Sequence, residues 1–264
     1  MFRLNTKEYQ LSKAVLAHHK IEDYFFSSVS QICKHICDDV RIYITGVEVH
    51  TLNFLLLMDN HVQIADPLQK GIQWMDEKID LPFSIIAIEP DKQILSVIGQ
   101  AGFVFDPDGI TTAMQLDLMN WQLKNALAVG YEVRCVDHCL SDWAGPIKSA
   151  FEIVDLLSEQ YLQCHQAALD AGKDLQHYTL YVEGKPVCAL TLSKQDNIIR
   201  LDEIGTLVEE QRKGYASALI IHVLNEAKQQ GVTACYLEAS QDGNGVYQRI
   251  GFKPLFEYQS FIRG

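Results

Sequence analysis

No Cys-x-x-Cys pair occurs in the 264 residues, although the chain holds seven cysteines, at 33, 37, 135, 139, 164, 188 and 235. Cys33 and Cys37 are four apart, as are Cys135 and Cys139, and no paired Cys/His set at zinc spacing accompanies them. An odd number rules out a fully paired disulfide framework, and the thiols are expected to be reduced, half-buried small groups. Long apolar runs are also missing. LNFLLLMD is among the longest and is far too short to span a bilayer, and the N-terminal MFRLNTKEYQ has no hydrophobic signal core. These absences predict a cytoplasmic protein that does not enter a membrane. Basic charge is scarce: 22 Lys and Arg stand against 34 Asp and Glu, a formal net charge of −12. Without a basic stripe, affinity for nucleic acid or anionic lipid is not expected. The acidity suits solubility and a cationic or amine-bearing partner. No low-complexity tract appears, and with 48% hydrophobic and 21% charged residues the chain reads as globular, one large domain or two small ones.

Periodicity sets an alternation of strands and helices. Residues 6–37 carry a helical period, read as two helices broken near 20–23. RIYITGVEV and LNFLLLMD read as strands, PLQKGIQWMDEKI as a helix, PFSIIAIE as a strand, KQILSVIGQAGF as a helix closed by glycine, and TTAMQLDL as a strand. MNWQLKNALAVG (119–130) has no strand pattern and marks the junction between a first half, 1–125, and a second, 126–264. YEVRCVDH then opens a new strand. Two helical stretches follow, with a break expected at Gly145 and Pro146. QHYTLYVEGKPVCALTLSKQ is a hairpin turned at Gly184 and Lys185, and NIIRLDEIGTLVEE is a strand. A helix closed by Gly231, the strand TACYLEAS, the short helix GNGVYQRIGF and the strand KPLFEYQSFI complete the chain. The order strand, helix, Gly-Phe, strand occurs twice, at 82–118 and 235–262, which predicts two halves of one architecture.

One stretch carries chemistry. Gln211-Arg212-Lys213-Gly214-Tyr215-Ala216 has the form Q-x-x-G-x-A and joins a strand to a helix. The first N–H groups of a helix lack internal partners, and the helix dipole makes that end positive. A phosphate placed there satisfies both. Gly214 lets backbone approach the anion without a Cβ, Ala216 keeps the next turn small, and Arg212 and Lys213 add positive charge. A Walker loop and a G-x-G-x-x-G turn are both absent.

With LDEIGTLVEE before it and ACYLEAS and VYQRIGFKPLFEY after it, this stretch makes residues 131–264 resemble the GNAT family of N-acetyltransferases. LPFSIIAIEP, ILSVIGQAGF and TAMQLDL give the first half a similar order without the Q-x-x-G-x-A turn. The resemblance therefore implies a tandem GNAT-like α/β (α+β) fold, with mixed, mostly antiparallel sheets flanked by helices. It also implies a catalytically silent first half. The acyl donor it implies is acetyl-CoA, with the diphosphate on Gln211, Arg212, Lys213, Gly214, Tyr215, Ala216 and Ser217. The pantetheine arm would run along the backbone of Thr206, Leu207 and Val208 as an added strand; Val208 stands where the family often has proline. Ser240 stands where an asparagine often binds the arm. Tyr247, four residues before Gly251-Phe252, is implied as the acid that protonates the departing thiolate; a phenol has a pKa of about 10 and holds its proton at neutral pH.

The implied reaction is direct attack of a neutral amine on a thioester carbonyl polarised by a backbone N–H. An alkyl amine has a pKa of about 10.4, so a base is needed. Asp202 and Glu203 are the candidates. As neighbours on a strand they are expected on opposite faces, so at most one faces the acceptor. His222 and His138, the latter near Asp142 and Trp143, read as core, surface or loop groups, and Cys188 and Cys235 as small buried ones. Expected partners are a small-molecule or peptide amine, with a monomer or homodimer as the assembly. The other readings are a non-catalytic acyl-CoA-binding regulatory module, or transfer from a longer acyl-CoA.

Overall fold

The computed structural model describes residues 13–59, 64–123, 128 and 130–264. Helix α1 (Lys13–Val29) is unbroken and is followed by an edge strand, β1 (Ile32–Cys37). Both features correct the helical reading of 6–37, whose first residues, 6–12, lie outside the described ones. The break expected at 20–23 is absent because Ile21, Glu22 and Phe25 continue the buried stripe of Val15, His18 and Val29. ICKHIC mimics a helix because isoleucine and cysteine each recur four residues apart. On the outer edge it buries little and shows no alternating apolar face.

The first half continues through β2 (Val40–Ile44), β3 (Asn53–Leu57), α2 (Ala65–Lys78), β4 (Ser84–Ile88), α3 (Lys92–Gln100) and β5 (Phe103–Asp117). Strand β3 is buried throughout. Leu68, Gly71, Ile72 and Met75 form the buried stripe of α2, and the Asp91 carboxylate caps α3 by accepting from the Ile94 amide at 2.8 Å. Of the expected junction, residues 124–127 and 129 lie outside the described ones.

The second half runs β6 (Tyr131–Cys135), α4 (Ser141–Ala150), α5 (Asp155–Asp170), β7 (Leu175–Val182), β8 (Lys185–Gln195), β9 (Ile198–Thr206), α6 (Tyr215–Gln229), β10 (Ala234–Ser240), α7 (Asn244–Ile250) and β11 (Lys253–Arg263). Helix α4 passes through Gly145 and Pro146, and the break falls instead at 151–154, where Glu152 has φ +52°. A two-residue turn of Glu183 and Gly184, φ +50° and +80°, closes the β7–β8 hairpin. Positive φ at both positions matches the strand twist.

All eleven strands form one mixed sheet in the order β1-β2-β3-β4-β11-β5-β10-β9-β8-β7-β6, antiparallel except at β3–β4 and β9–β10. Helices flank it, as the sequence predicts. The repeated order noted in the sequence is structural: β4-α3-β5 is matched by β10-α7-β11, each with a Gly-Phe step at which glycine has positive φ (Gly102 +82°, Gly251 +127°). The halves are interlocked. β11 lies between β4 and β5, and β5 lies between β10 and β11. A second seam lies under α1, which packs on β8, β9 and α5. There Phe25 and Val29 share a core with Trp143, Tyr161 and Ala168. The opposite side of the second half is filled by α6, whose Leu219, Ile220, Val223 and Leu224 pack against Cys188, Leu190, Leu201 and Leu237.

Candidate active site

The site begins where the sheet opens. β9 and β10 pair in parallel at Ile198, Ile199 and Arg200 only, opposite Ala234, Cys235 and Tyr236. Beyond Arg200 and Tyr236 the two strands part, leaving Leu201–Thr206 of β9 unpaired on that side. The Leu207 amide donates to Val187 O at 3.0 Å, on the β8 side. Successive residues of a strand point their N–H and C=O groups to opposite sides. The groups of Thr206 therefore face the opening, where the Gln211 side chain reaches Thr206 O at 3.5 Å. Of the implied arm-binding backbone, Thr206 is available, whereas the Val208 amide donates to Ser149 Oγ at 3.1 Å. Gly205 brings α4 against β9: a Cβ there would stand 3.0 Å from Ala150 Cβ and 3.1 Å from Ile147 Cα.

At the end of the opening, a turn at Val208–Glu210 leads into Gln211 and then to α6. Arg212 and Gly214 are left-handed, φ +63° and +85°. The first helical bond is Ala218 N to Gly214 O at 3.0 Å. The amides of Arg212 to Ser217 have no hydrogen-bond partner among the described residues. An added Cβ at Gly214 meets nothing within 4 Å, so the cradle is open. Amides converging at a helix start form an anion site. The exposed Lys213 pairs with Glu210 at 2.7 Å. Tyr215 anchors the helix start, its ring edge-on to Tyr131 at 5.4 Å between centroids.

Tyr247, on α7, packs against the core beneath α6 and lies edge-on to Phe252. Gly243 gives it room, because a Cβ there would stand 2.9 Å from the Tyr247 ring. Burial, reinforced by Cys188 and Asp202, pushes the phenol well above its ordinary pKa, and its hydroxyl makes no hydrogen bond among the described residues. Cys188 is buried, accepts from Thr206 Oγ1 at 3.2 Å, and is pushed up to about 12 by burial. Ser240 ends β10 and accepts from the Gly243 amide at 3.2 Å, shaping the turn into α7.

Asp202 and Glu203 depart from the expected alternation. Glu203 has φ +53°, and the β8–β9 register shifts there, with Thr191 opposite Asp202 and Ala189 opposite Gly205. This is a β-bulge, which inserts one residue and breaks the two-residue period. Thr191 stands opposite Asp202 yet donates to Glu203 Oε2 at 2.6 Å. Both carboxylates therefore project to the face covered by α1 and α5, correcting the expectation of opposite faces. Asp202 is held by Arg200 Nε at 2.9 and 3.0 Å. The same guanidinium reaches Glu238 at 2.9 Å and lies over the Phe25 and Phe26 rings. Arg200 thus ties β9 to β10 where they part. Burial raises Asp202 to about 6 against the pull of Arg200. Glu203 accepts from Tyr161 OH, His165 Nε2 (3.1 Å) and Thr191. Those partners, His165 foremost, outweigh burial and hold its pKa below the usual range.

The remaining candidates fall elsewhere. His222 pairs with Glu226 at 3.3 Å on the surface of α6, His138 is exposed, and Cys235 is buried in β10. Trp143 is buried against His165, and Asp142 accepts from Tyr181 OH. Glu238, Tyr161, His165, His177 and Thr191 escaped the sequence reading. Apart from Tyr161 and His165, four apart on α5, they lie on separate elements.

Comparison with known proteins supports the same segment. Residues 143–252 match the model of the Acetyltransferase (GNAT) family. The uncharacterized N-acetyltransferase CgeE of Bacillus subtilis (strain 168) is 38% identical over 66 residues, 24% of this chain and 26% of that protein, so the match spans about a quarter of that relative. A GCN5-related N-acetyltransferase from Kribbella flavida superposes with a TM-score of 0.65 at 13% identity, over 96% of each chain. A tandem GNAT protein from the clavulanic acid biosynthesis pathway gives 0.58 at 12% identity, over 85% of this chain and 78% of that one. These two likenesses establish the fold. No helix among the described residues is long and apolar enough to cross a membrane.

Proposed function

We propose that the chain acts through the stretch at 143–252 that matches the GNAT acetyltransferase family and moves the acetyl group of acetyl-CoA directly to an amine. The observation that carries the reading is the parting of β9 from β10 beyond Arg200, with the unpartnered amides of Arg212 to Ser217 at its far end. The opening accepts an extended amide-bearing arm, and the amides accept a diphosphate.

Each residue has a role. Thr206 lends its backbone to the arm, and Gly214, Tyr215, Ala216 and Ser217 lend theirs to the phosphates, with Arg212 and Lys213 beside them. The amine nitrogen attacks the thioester carbonyl, the C–S bond breaks, and Tyr247 gives its proton to the leaving sulfur. A raised pKa keeps Tyr247 protonated at neutral pH. The proton lost by the amine goes to Glu203. A carboxylate has about four acceptor positions, and three on Glu203 are filled, leaving one on the Oε2 side. Asp202 is instead spanned by Arg200 and serves to hold the opening. The described residues of the first half, 1–125, form no cradle of this kind and supply α1 and the interlocking strands.

Steady-state CoA release with a panel of primary amines tests the reading. Turnover abolished by Tyr247→Phe supports it. CoA binding without turnover on any amine refutes it in favour of a binding module, and turnover only with longer acyl donors refutes the acetyl assignment.

A further inference from the structure

A separate cluster of ionisable groups lies between α1 and the strands β9, β10 and β11. His18, His19 and Glu22 of α1 point into it. On the helix they share one sector of about 100°, with Glu22 between the two histidines. All three are buried, and their ligand atoms lie within 4.8 Å of one another. His18 Nε2 stands 3.5 Å from Glu22 Oε1, and His19 Nδ1 stands 3.0 Å from Glu22 Oε2. From β10, Glu238 Oε1 comes within 3.9 Å of His18 Nε2. Tyr258 OH of β11 reaches both oxygens of Glu22, at 2.8 and 3.0 Å. The rings of Phe256 and Tyr236 stand edge-on to His18, 5.3 and 6.0 Å away between centroids.

Two features of the cluster call for a ligand. Neither ring nitrogen of His18 makes a hydrogen bond among the described residues, although the side chain is fully buried, and buried polar groups normally have partners. The charges are also unequal. Glu22, Glu238 and Asp202 crowd one guanidinium, that of Arg200, while Arg41 is paired with Asp23 at 3.0 Å. Three carboxylates against one cation leave two negative charges in excess, which a divalent cation cancels. Two imidazoles with carboxylates suit a first-row divalent ion. Around zinc, bonds of about 2.0–2.2 Å at the tetrahedral angle set neighbouring ligand atoms about 3.3–3.6 Å apart. The separations here, 3.0, 3.5 and 3.9 Å, bracket that range. We propose that His18 Nε2, His19 Nδ1, Glu22 and Glu238 form a site for one Zn²⁺ ion.

No step of acyl transfer passes through this site, so it stands or falls apart from the proposed reaction. Four protein ligands close the coordination of zinc, the pattern of a structural site rather than a catalytic one with an open position. The ion joins α1 to β10 where β10 leaves β9, because Glu238 also accepts from Arg200 at 2.9 Å. Tyr258 fixes Glu22 from outside the ligand set, as supporting partners of metal ligands do. In the metal-free protein a proton on Glu238, whose carboxyl is raised by burial, eases the excess charge; ion and proton compete for that oxygen. A second cluster, Asp23, Cys33 and His35, is a poorer site. Arg41 occupies the same Asp23 oxygen that faces His35, at 3.0 and 3.2 Å.

The test titrates the full chain, stripped with EDTA and desalted, with Zn²⁺ at neutral pH. One ion per chain should bind, and at about 100 times its Kd the thermal midpoint should rise by about 5–11 °C. His18→Gln and Glu22→Gln should each weaken binding about 100-fold or more, since even a supporting partner is worth about 10–100-fold. His35→Gln should bind as the wild type does. Absence of binding to the wild type, or wild-type affinity in His18→Gln and Glu22→Gln, overturns the site. Binding lost in His35→Gln and kept in His18→Gln moves the ion to the Asp23 cluster and overturns it as well. Should the buried variants fail to fold, Co²⁺ bound to the wild type decides. A visible spectrum without thiolate-to-cobalt charge transfer supports histidine and carboxylate ligands, and a thiolate band overturns them.

Discussion

Gly214→Ala isolates ligand binding from backbone strain, because Gly231 supplies a matched control. The two glycines bracket α6 with φ +85° and +83°, and at neither does an added Cβ meet a heavy atom within 4 Å. A side chain in the left-handed region costs about 1–2 kcal/mol. In a chain of 264 residues, each kcal/mol lowers the melting temperature by about 2–4 °C. Gly214→Ala and Gly231→Ala should therefore lose the same amount, about 2–8 °C, without ligand. They differ in where the methyl stands: among the unpartnered amides of Arg212 to Ser217, or at the other end of the helix. Acetyl-CoA at about 100 times its Kd stabilises the native state by about 2.7 kcal/mol, a rise of about 5–11 °C. Wild type and Gly231→Ala should show that rise. A methyl that weakens phosphate binding about 100-fold leaves RT ln 2, about 0.4 kcal/mol, a rise of about 1 °C. Thermal denaturation across an acetyl-CoA titration reads the difference. An equal rise in Gly214→Ala and wild type refutes the cradle, as does a lost rise in Gly231→Ala.

Other outcomes follow from the same geometry. Tyr247→Phe should lower kcat about 100-fold with KM for acetyl-CoA unchanged, and an unchanged kcat in steady-state assays rules out the acid role. Glu203→Gln should lower kcat about 100-fold at neutral pH. Asp202→Asn should act mainly on stability, since removing one partner of a buried ion pair costs about 3–5 kcal/mol; chemical denaturation and kinetics on both variants would show whether the effects are instead exchanged. Burial raises Glu238 to about 8, with the charge of Glu22 adding to it and Arg200 opposing. A carboxyl raised in the folded state binds more protons there than when unfolded, so its stabilisation is lost as pH rises toward the folded value. His18, lowered to about 4 by burial, acts in the opposite sense only below the ordinary imidazole value of about 6.5. Stability should therefore fall between about pH 6.5 and about pH 8, and Glu238→Gln should flatten that slope in melting curves. Finally, residues 126–264 expressed alone lack β4 and β5, the two strands that flank β11; they should be insoluble, and a monodisperse folded product would refute the interlock.

The parts that read well from sequence are local. The Q-x-x-G-x-A turn, its strand and its helix run consecutively from Ile198 to Gln229, and a helix start needs no distant partner to offer amides. The β7–β8 hairpin was legible for the same reason. Failures came where distant chain decides. ICKHIC is a strand because β2 pairs with it, although its own spacing mimics a helix. The bulge at Glu203 places two carboxylates on one face, yet no glycine marks the positive φ. His165 and His177 are twelve residues apart on a helix and a strand, and only the folded sheet makes them neighbours. The Gly-Phe repeat pointed to two like halves without revealing that each lends a strand to the other.

That exchange of strands has a consequence for biosynthesis. β11 is made after the other ten strands, yet it belongs in the middle of the sheet. Until it emerges, β4 and β5 flank an unfilled slot with backbone donors and acceptors unpaired, the kind of edge that invites mispairing with other chains. Filling the slot closes a loop more than half the chain long, which makes the final step slow by topology. Nascent chains stalled before residue 253 should thus be the aggregation-prone form, and chaperone dependence should end only when the last strand docks.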